Sequence, residues 1–276
     1  VFLRPSRTVH CINPYQNLVQ KSGPGTPTIL VQVRQKSGPG TPTIWSRYPK
    51  HLVQVRPKSG PGTFPLLPIN HMQGHLLAHF IEDENFIPPD FPFLGVTLSG
   101  GHTQLILVKE YFKMELIGTS LDDAIGEAFD KCGKRMGLNY PAGHQIDKLA
   151  KDGDHTRFKF PITNLKDYNV SYSGVKTSFT NFIQKQKDPK FITKNLNDLC
   201  ASLQYTLIQI ILIKIKKAAQ DYGINQIVIG GGVAANSEIR KQLNNIAKSK
   251  NWKVFLPSIA YSTDNAAMIG IAGYYK

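Results

Sequence analysis

Between residues 92 and 119 short apolar runs are broken by glycine and polar turns. Phe93-Leu94-Gly95-Val96-Thr97-Leu98 predicts a buried strand that runs into Ser99-Gly100-Gly101. Residues 103–108 and 114–118 predict two further strands. Short apolar runs joined by tight turns predict an antiparallel meander. Asp122 or Asp123 is expected to cap a helix that Gly137 ends, and a short helix follows Pro141-Ala142-Gly143. Residues 153–172 lack a period and read as loop.

The helical period returns at 175–187 and at 195–222, where Leu203, Leu207, Ile210 and Ile211 fall on one inward face. A buried strand at 226–229 leads through Gly230-Gly231-Gly232 into a helix from about Ser237. A last strand follows at 254–256, and Asp264 opens the final helix. Strands alternating with helices predict one α/β domain over residues 67–276.

Residues 1–66 follow another rule. LVQVRQKSGPGT at 30–41 returns as LVQVRPKSGPGT at 52–63, with a shorter copy, LVQKSGPGT, at 18–26. The copies are unevenly spaced, which a solenoid does not allow. Ten Pro and six Gly in these 66 residues oppose a helix or a central strand. This segment is expected to be a disordered, low-complexity leader or a gene-model artefact. Arg4 and Arg7 without acids faintly suggest a transit peptide, but the Pro/Gly density spoils an amphipathic helix.

Charge sharpens that division. The chain carries +14 overall, yet residues 1–66 hold nine Lys/Arg and no acid, leaving 24 basic against 19 acidic side chains beyond them. The main domain is therefore mildly basic, which allows an RNA partner without demanding one. No run reaches the roughly 18 uncharged apolar residues of a membrane span. Three scattered cysteines with no Cys-x-x-Cys argue against a disulfide framework or thiolate zinc site and for a reducing compartment.

Candidate chemistry lies in three places. His71 and His75 are four apart, one helical turn, so both imidazoles can reach one cation or simply mark a surface or core face. A zincin protease needs Glu after the first His, and Met72 stands there. His79 continues the face and reads as a surface histidine. The turns Leu98-Ser99-Gly100-Gly101 and Gly230-Gly231-Gly232 each follow an apolar strand, and are either tight bends or two halves of a split nucleotide site. Neither has P-loop or dinucleotide spacing. Asp264 either caps its helix or completes a two-His-one-carboxylate set with open positions. Asp130 lies on a helix between Glu127 and Lys134, and Cys132 reads as core.

Taken together, His71-Met72-Gln73-Gly74-His75, Ser99-Gly100-Gly101-His102-Thr103, Asp122-Asp123-Ala124-Ile125-Gly126-Glu127, Tyr140-Pro141-Ala142-Gly143, Ser171-Tyr172-Ser173-Gly174, Gly230-Gly231-Gly232-Val233-Ala234-Ala235-Asn236 and Ser262-Thr263-Asp264-Asn265 resemble one family in order and spacing. It is the bacterial tRNA threonylcarbamoyladenosine transferases, the TsaD family, formerly called glycoproteases. The resemblance covers about residues 67–276. It implies an actin-like, hexokinase-like ATPase fold of two lobes, the first incomplete here, because nothing in residues 1–66 matches the family's opening strand and phosphate loop. It implies transfer of threonylcarbamoyl from threonylcarbamoyl-AMP to N6 of the adenosine 3′ of the anticodon, in tRNAs reading codons that start with A.

Carried over by position, His71, His75 and Asp264 would hold one divalent metal, Fe(II) or Zn(II). Thr97, Leu98, Ser99, Gly100 and Gly101 would cradle the phosphate or acyl end, with Asp130, Gly143 and Asn236 on the rest of the nucleotide. No residue is assigned as general base. The implied partners are tRNA, a paralogous TsaB-like subunit and a small TsaE-like ATPase, with no membrane and a cytoplasmic location. Alternatives are a truncated nonenzymatic remnant that binds nucleotide or a partner, a metal-dependent peptidase, and a sugar kinase, in which the histidine pair would have no role.

Overall fold

The computed structural model describes residues 9–11, 29–36, 50–54, 66–82 and 87–276, and only the backbone of those before residue 67. The expectations for the rest of residues 1–66 lie outside the described residues. The chain divides into two compact units, Val1–Pro88 with Thr263–Lys276, and Pro89–Ser262.

The first unit carries a four-stranded sheet in the order β1 (Val9–Cys11), β2 (Ile29–Lys36), β3 (Lys50–Gln54), β4 (Leu66–Asn70). Three of these strands fall within residues 1–66. Their ranges contain no proline, so the Pro/Gly density there borders the strands without interrupting them. β2 and β3 carry parts of the two long repeat copies and pair antiparallel, Val33 opposite Val53 and Arg34 opposite Leu52. Pro68 is tolerated because β4 is an edge strand.

Helix α1 (His71–Leu77) starts directly from β4. Asn70 Oδ1 accepts from the Met72 and Gln73 N–H groups at 3.0 and 3.2 Å, an N-cap worth about 1 kcal/mol. Met72, Leu76 and Leu77 bury its apolar face. A 3-10 turn, Ala78–Phe80, follows and takes His79 out of the helix. The C-terminal helix Ala266–Tyr275 packs beside α1 in the same unit, burying Met268, Ile269 and Ala272. A Cβ on Gly74 would stand 3.1 Å from Ile269 Cδ1 and 3.4 Å from the Met268 carbonyl, so glycine sets how closely the two helices approach.

The second unit is α/β, as expected. Its strands are β5 (Phe93–Leu98), β6 (Thr103–Val108), β7 (Met114–Thr119), β8 (Gln226–Gly230) and β9 (Lys253–Phe255), in the sheet order β7-β6-β5-β8-β9. The first three form the antiparallel meander, and β8 and β9 join parallel to β5. All six residues of β5 are buried, which is why it reads as a continuous apolar run rather than an alternating one.

The helices are α2 (Ile125–Arg135), α3 (Gly143–Ala150), α4 (Ser173–Gln184), the single turn α5 (Phe191–Lys194), α6 (Leu196–Asp221), α7 (Ser237–Lys250) and the short α8 (Ile259–Ser262). By length and composition α6 could cross a membrane, but sixteen of its residues are buried in this unit's core, including all four assigned to its inward face. Lys214 in that helix is buried too. Its ammonium donates to Asn164 Oδ1 at 2.9 Å, to the Leu165 carbonyl and to the Asp167 carbonyl at 3.1 Å, so all three donors are used.

Two caps differ from expectation. Asp122 and Asp123 do not cap α2, whose N-cap position is Ala124 with no side-chain bond. Asp264 does not cap the last helix either; Asn265 does, accepting from the Met268 N–H at 2.9 Å. Gly137 does end α2. At φ +81° it lets the Leu138 N–H reach the Gly133 carbonyl at 3.0 Å.

Candidate metal centre and phosphate-binding turns

His71 and His75 project from one face of α1 with ring centroids 4.8 Å apart and planes almost perpendicular. Each Nε2 lies 3.1 Å from the same oxygen, Oδ1 of Asp264. One ligand atom from each of the three residues lies within 4.8 Å of the others. All three belong to the first unit. The histidines are buried, whereas the Asp264 side chain is 74% exposed and closes the group from the solvent side. With N–H groups turned toward it, His71 and then His75 would outweigh the burial cost and hold the Asp264 carboxyl well below the usual carboxylate range.

His75 decides what this group fits. Both its ring nitrogens are buried and, among the described residues, neither makes a hydrogen bond, although Nε2 is only 3.1 Å from Asp264. Close approach without an aligned N–H is the geometry of two lone-pair donors facing a shared cation. Leaving Nε2 unpaired would otherwise cost about 1–3 kcal/mol. Two imidazoles and one carboxylate suit a divalent ion that keeps open positions. The set therefore fits a metal. His79, in the 3-10 turn, is not part of it.

In the second unit the two glycine turns are neighbours. β5 and β8 are parallel, with Thr97 opposite Gly230, so Ser99-Gly100-Gly101 and Gly231-Gly232 leave the same end of adjacent strands. Open α/β sheets bind ligands at the carboxyl ends of their strands. Gly231 has φ +93°, and a Cβ there would lie 2.4 Å from the Leu98 carbonyl oxygen. Ser99 folds its own turn: its N–H donates to the His102 carbonyl at 2.8 Å and its Oγ accepts from the His102 N–H at 3.0 Å.

Gly100 and Gly101 are exposed, have no left-handed φ, and would meet nothing within 4 Å if given a Cβ. Neither a left-handed backbone nor packing among the described residues demands glycine at either position. Thr97 Oγ1 is buried without a hydrogen-bond partner among the described residues.

The remaining assigned residues lie in the same unit. The Gly126 N–H donates to the Ser99 carbonyl at 3.2 Å, fixing the start of α2 against the first turn. Asp130 on α2 accepts from the Ala142 N–H at 2.7 Å, which holds Gly143 at the start of α3. Glu127, on the same helix, pairs with Lys131 one turn on at 2.8 Å, an ordinary salt-bridged helix face. Asn236 caps α7, accepting from Glu238 and Ile239 N–H groups and donating to Gln204 Oε1 at 2.7 Å. Asp147 on α3 accepts from the Ser237 N–H and hydroxyl, tying the starts of α3 and α7 together.

Sequence reasoning missed Asp147, Gln204 and Gly126, since each bond spans more than 20 residues and carries no local signal. It also gave Asp122 and Asp123 the wrong partners. Asp122 accepts from the Ser171 and Ser173 hydroxyls and the Tyr172 and Ser173 N–H groups, capping α4 from fifty residues away. Asp123 pairs with Lys131 at 2.6 Å and Lys176 at 2.7 Å. Cys132 is core as expected, burial pushing its thiol up to about 12.

Residues 63–271 match the family model described as TsaD, tRNA N6-adenosine threonylcarbamoyltransferase. A protein of that name from Christiangramia forsetii is 55% identical over 216 residues, 78% of this chain and 64% of that relative. One from Riemerella anatipestifer is 50% identical over 214 residues, 77% of this chain and 63% of the relative. The chain thus spans a little under two thirds of these relatives' length. Among solved structures, full-length HypF in its phosphate- and nucleotide-bound form superposes with a TM-score of 0.58 at 12% identity, over 73% of this chain and 41% of HypF. At that identity the likeness carries the fold alone.

Proposed function

The chain belongs to the tRNA N6-adenosine threonylcarbamoyltransferase family, and from that premise we propose that it transfers a threonylcarbamoyl group from threonylcarbamoyl-AMP to N6 of the adenosine 3′ of a tRNA anticodon. The observation that carries the reading is the meeting of His71, His75 and Asp264 on one oxygen, because it joins residues almost 190 positions apart into one ligand set. A peptidase reading finds no general base beside that set, since Met72 follows His71.

In the reaction, the N6 nitrogen attacks the carbamoyl carbonyl carbon, the bond from that carbon to the phosphate oxygen breaks, AMP leaves, and the amine gives up a proton. Backbone N–H groups of the Ser99–Gly101 and Gly231–Gly232 turns would hold the adenylate phosphate and favour the charge that builds on it as it departs. The space above Gly100 and Gly101 admits that anion. Asp130 and Asn236 would act by holding the starts of α3 and α7, through the Ala142 N–H and through the α7 cap and Gln204. His71, His75 and Asp264 would bind one divalent ion, Fe(II) or Zn(II), which supplies Lewis-acid polarisation of an oxygen. A TsaB-like subunit, a small TsaE-like ATPase and a cytoplasmic location complete the proposal.

The test is to incubate the purified chain with threonylcarbamoyl-AMP, a divalent metal, the two partner proteins of a related bacterium and unmodified tRNA, and to analyse the digested nucleosides by mass spectrometry. Threonylcarbamoyladenosine formed only with the chain present supports the reading. Nucleotide binding with no modified nucleoside supports instead a nonenzymatic role.

A further inference from the structure

We infer that the turn joining α2 to α3 is the edge of the second unit that docks RNA, with Tyr140 stacking on an unpaired base and Lys134, Arg135 and Lys148 lying against phosphates. The inference rests on the proposed transfer to tRNA and names the surface that receives the acceptor.

Tyr140 is 85% exposed, more than any other large hydrophobic side chain among the described residues. Exposure alone says little, but the loop beneath it is fixed. Gln145 Nε2 donates to the carbonyls on both sides of the tyrosine, Asn139 at 2.7 Å and Pro141 at 3.4 Å. Asp130 holds the next N–H, that of Ala142. A Cβ on Gly133 would lie 2.2 Å from the Ala142 side chain, so the end of α2 and the start of α3 touch directly. The ring is thus presented on a rigid turn with its faces open, the arrangement that stacks on a nucleobase at little ordering cost.

The exposed, unpaired charges of the hairpin are positive. Lys134 and Arg135 in the last turn of α2, and Lys148 on α3, are exposed and make no ion pair among the described residues. The two acids closest to the turn, Asp130 and Asp147, are partly buried and are held by the Ala142 N–H and by Ser237. Free cations flanking an exposed aromatic suit a single-stranded polyanion, and loops of RNA are read by stacking bases on aromatic side chains. Location agrees with the chemistry. The same hairpin carries Asp130 and Gly143, and an attacking amine on RNA must be brought to the acyl donor.

The experiment measures binding of a labelled, unmodified anticodon stem-loop to the whole 276-residue chain across a salt series. Tyr140→Ala should weaken binding about tenfold or more, while Tyr140→Phe, which keeps the ring, should stay within about twofold. Lys134→Ala with Arg135→Ala should flatten the dependence of log Kd on log salt by about 0.7 per lost cation. The charge-matched pair Lys248→Ala with Lys250→Ala, at the end of α7, should leave that slope unchanged. Wild-type binding with hairpin variants that match it, or a control pair that falls equally, overturns this docking edge and leaves the transfer reading standing. No binding by the wild-type chain overturns both.

Discussion

Gly231 sits under the carbonyl of Leu98, so close that a Cβ at position 231 would come within 2.4 Å of that oxygen. The two residues lie 133 positions apart, and their contact makes one feature of two glycine turns. Gly231→Ala combines a backbone clash with a φ of +93°, which non-glycine residues rarely adopt. We expect a loss of about 2–4 kcal/mol in unfolding free energy by urea denaturation. Binding of AMP, read by calorimetry, should fall with it. By contrast Gly100→Ala, where a Cβ meets nothing within 4 Å, should leave stability within about 0.5 kcal/mol and still weaken AMP.

Gly74 offers a second test of close approach. In Gly74→Ala the gain in helix propensity, about 1 kcal/mol, works against contacts of 3.1–3.5 Å with Ile269 and Met268. Thermal unfolding should barely move. Gly74→Val cannot fit without shifting the C-terminal helix and should cost about 1–3 kcal/mol. Because Asp264 immediately precedes that helix, metal retention should fall with stability in the valine variant. Retention unchanged there would separate the helix contact from the position of Asp264.

Asp123 gives a pH dependence. Burial alone would raise its carboxyl, but hydrogen bonds and charge from Lys131 and Lys176 prevail and hold it below its ordinary value. A depressed carboxylate adds stability that is complete above the unfolded value near 3.8 and is lost as pH falls through the folded value. Wild-type stability should therefore drop on acidification below about pH 4, and Asp123→Asn should show a shallower drop. Since the lysines are partly exposed, the neutral-pH cost of Asp123→Asn should be only about 1–2 kcal/mol. Equal acid slopes in the two proteins would rule out this pairing as a source of acid sensitivity.

The sheet and its turns were legible because their signals are local. Six consecutive buried residues in β5 leave an apolar run, and glycines mark where β5 and β8 end. Spacing likewise offered His71 and His75 as a pair. Long-range partners left no such trace. Asp264 could be read as a cap, since an acid at a helix start looks the same whether it faces its own backbone or a distant imidazole; Asn265 next to it makes the cap and leaves Asp264 to the histidines. Asp122 looked like a cap for the following helix and instead caps α4, fifty residues on. Proline density in residues 1–66 hid three strands because composition averages over a segment, whereas pairing needs only the short proline-free stretches between.

The metal centre is the claim on which the proposed chemistry turns, and metal content by mass spectrometry tests it without any assay of activity. The chain, loaded anaerobically with Fe(II) or with Zn(II) and then desalted, should retain about one ion, while His75→Ala and Asp264→Ala, each removing one of three ligands, should retain almost none. Both variants should still unfold cooperatively. Equal, stoichiometric metal in all three proteins would contradict the assignment of His71, His75 and Asp264 as the binding set.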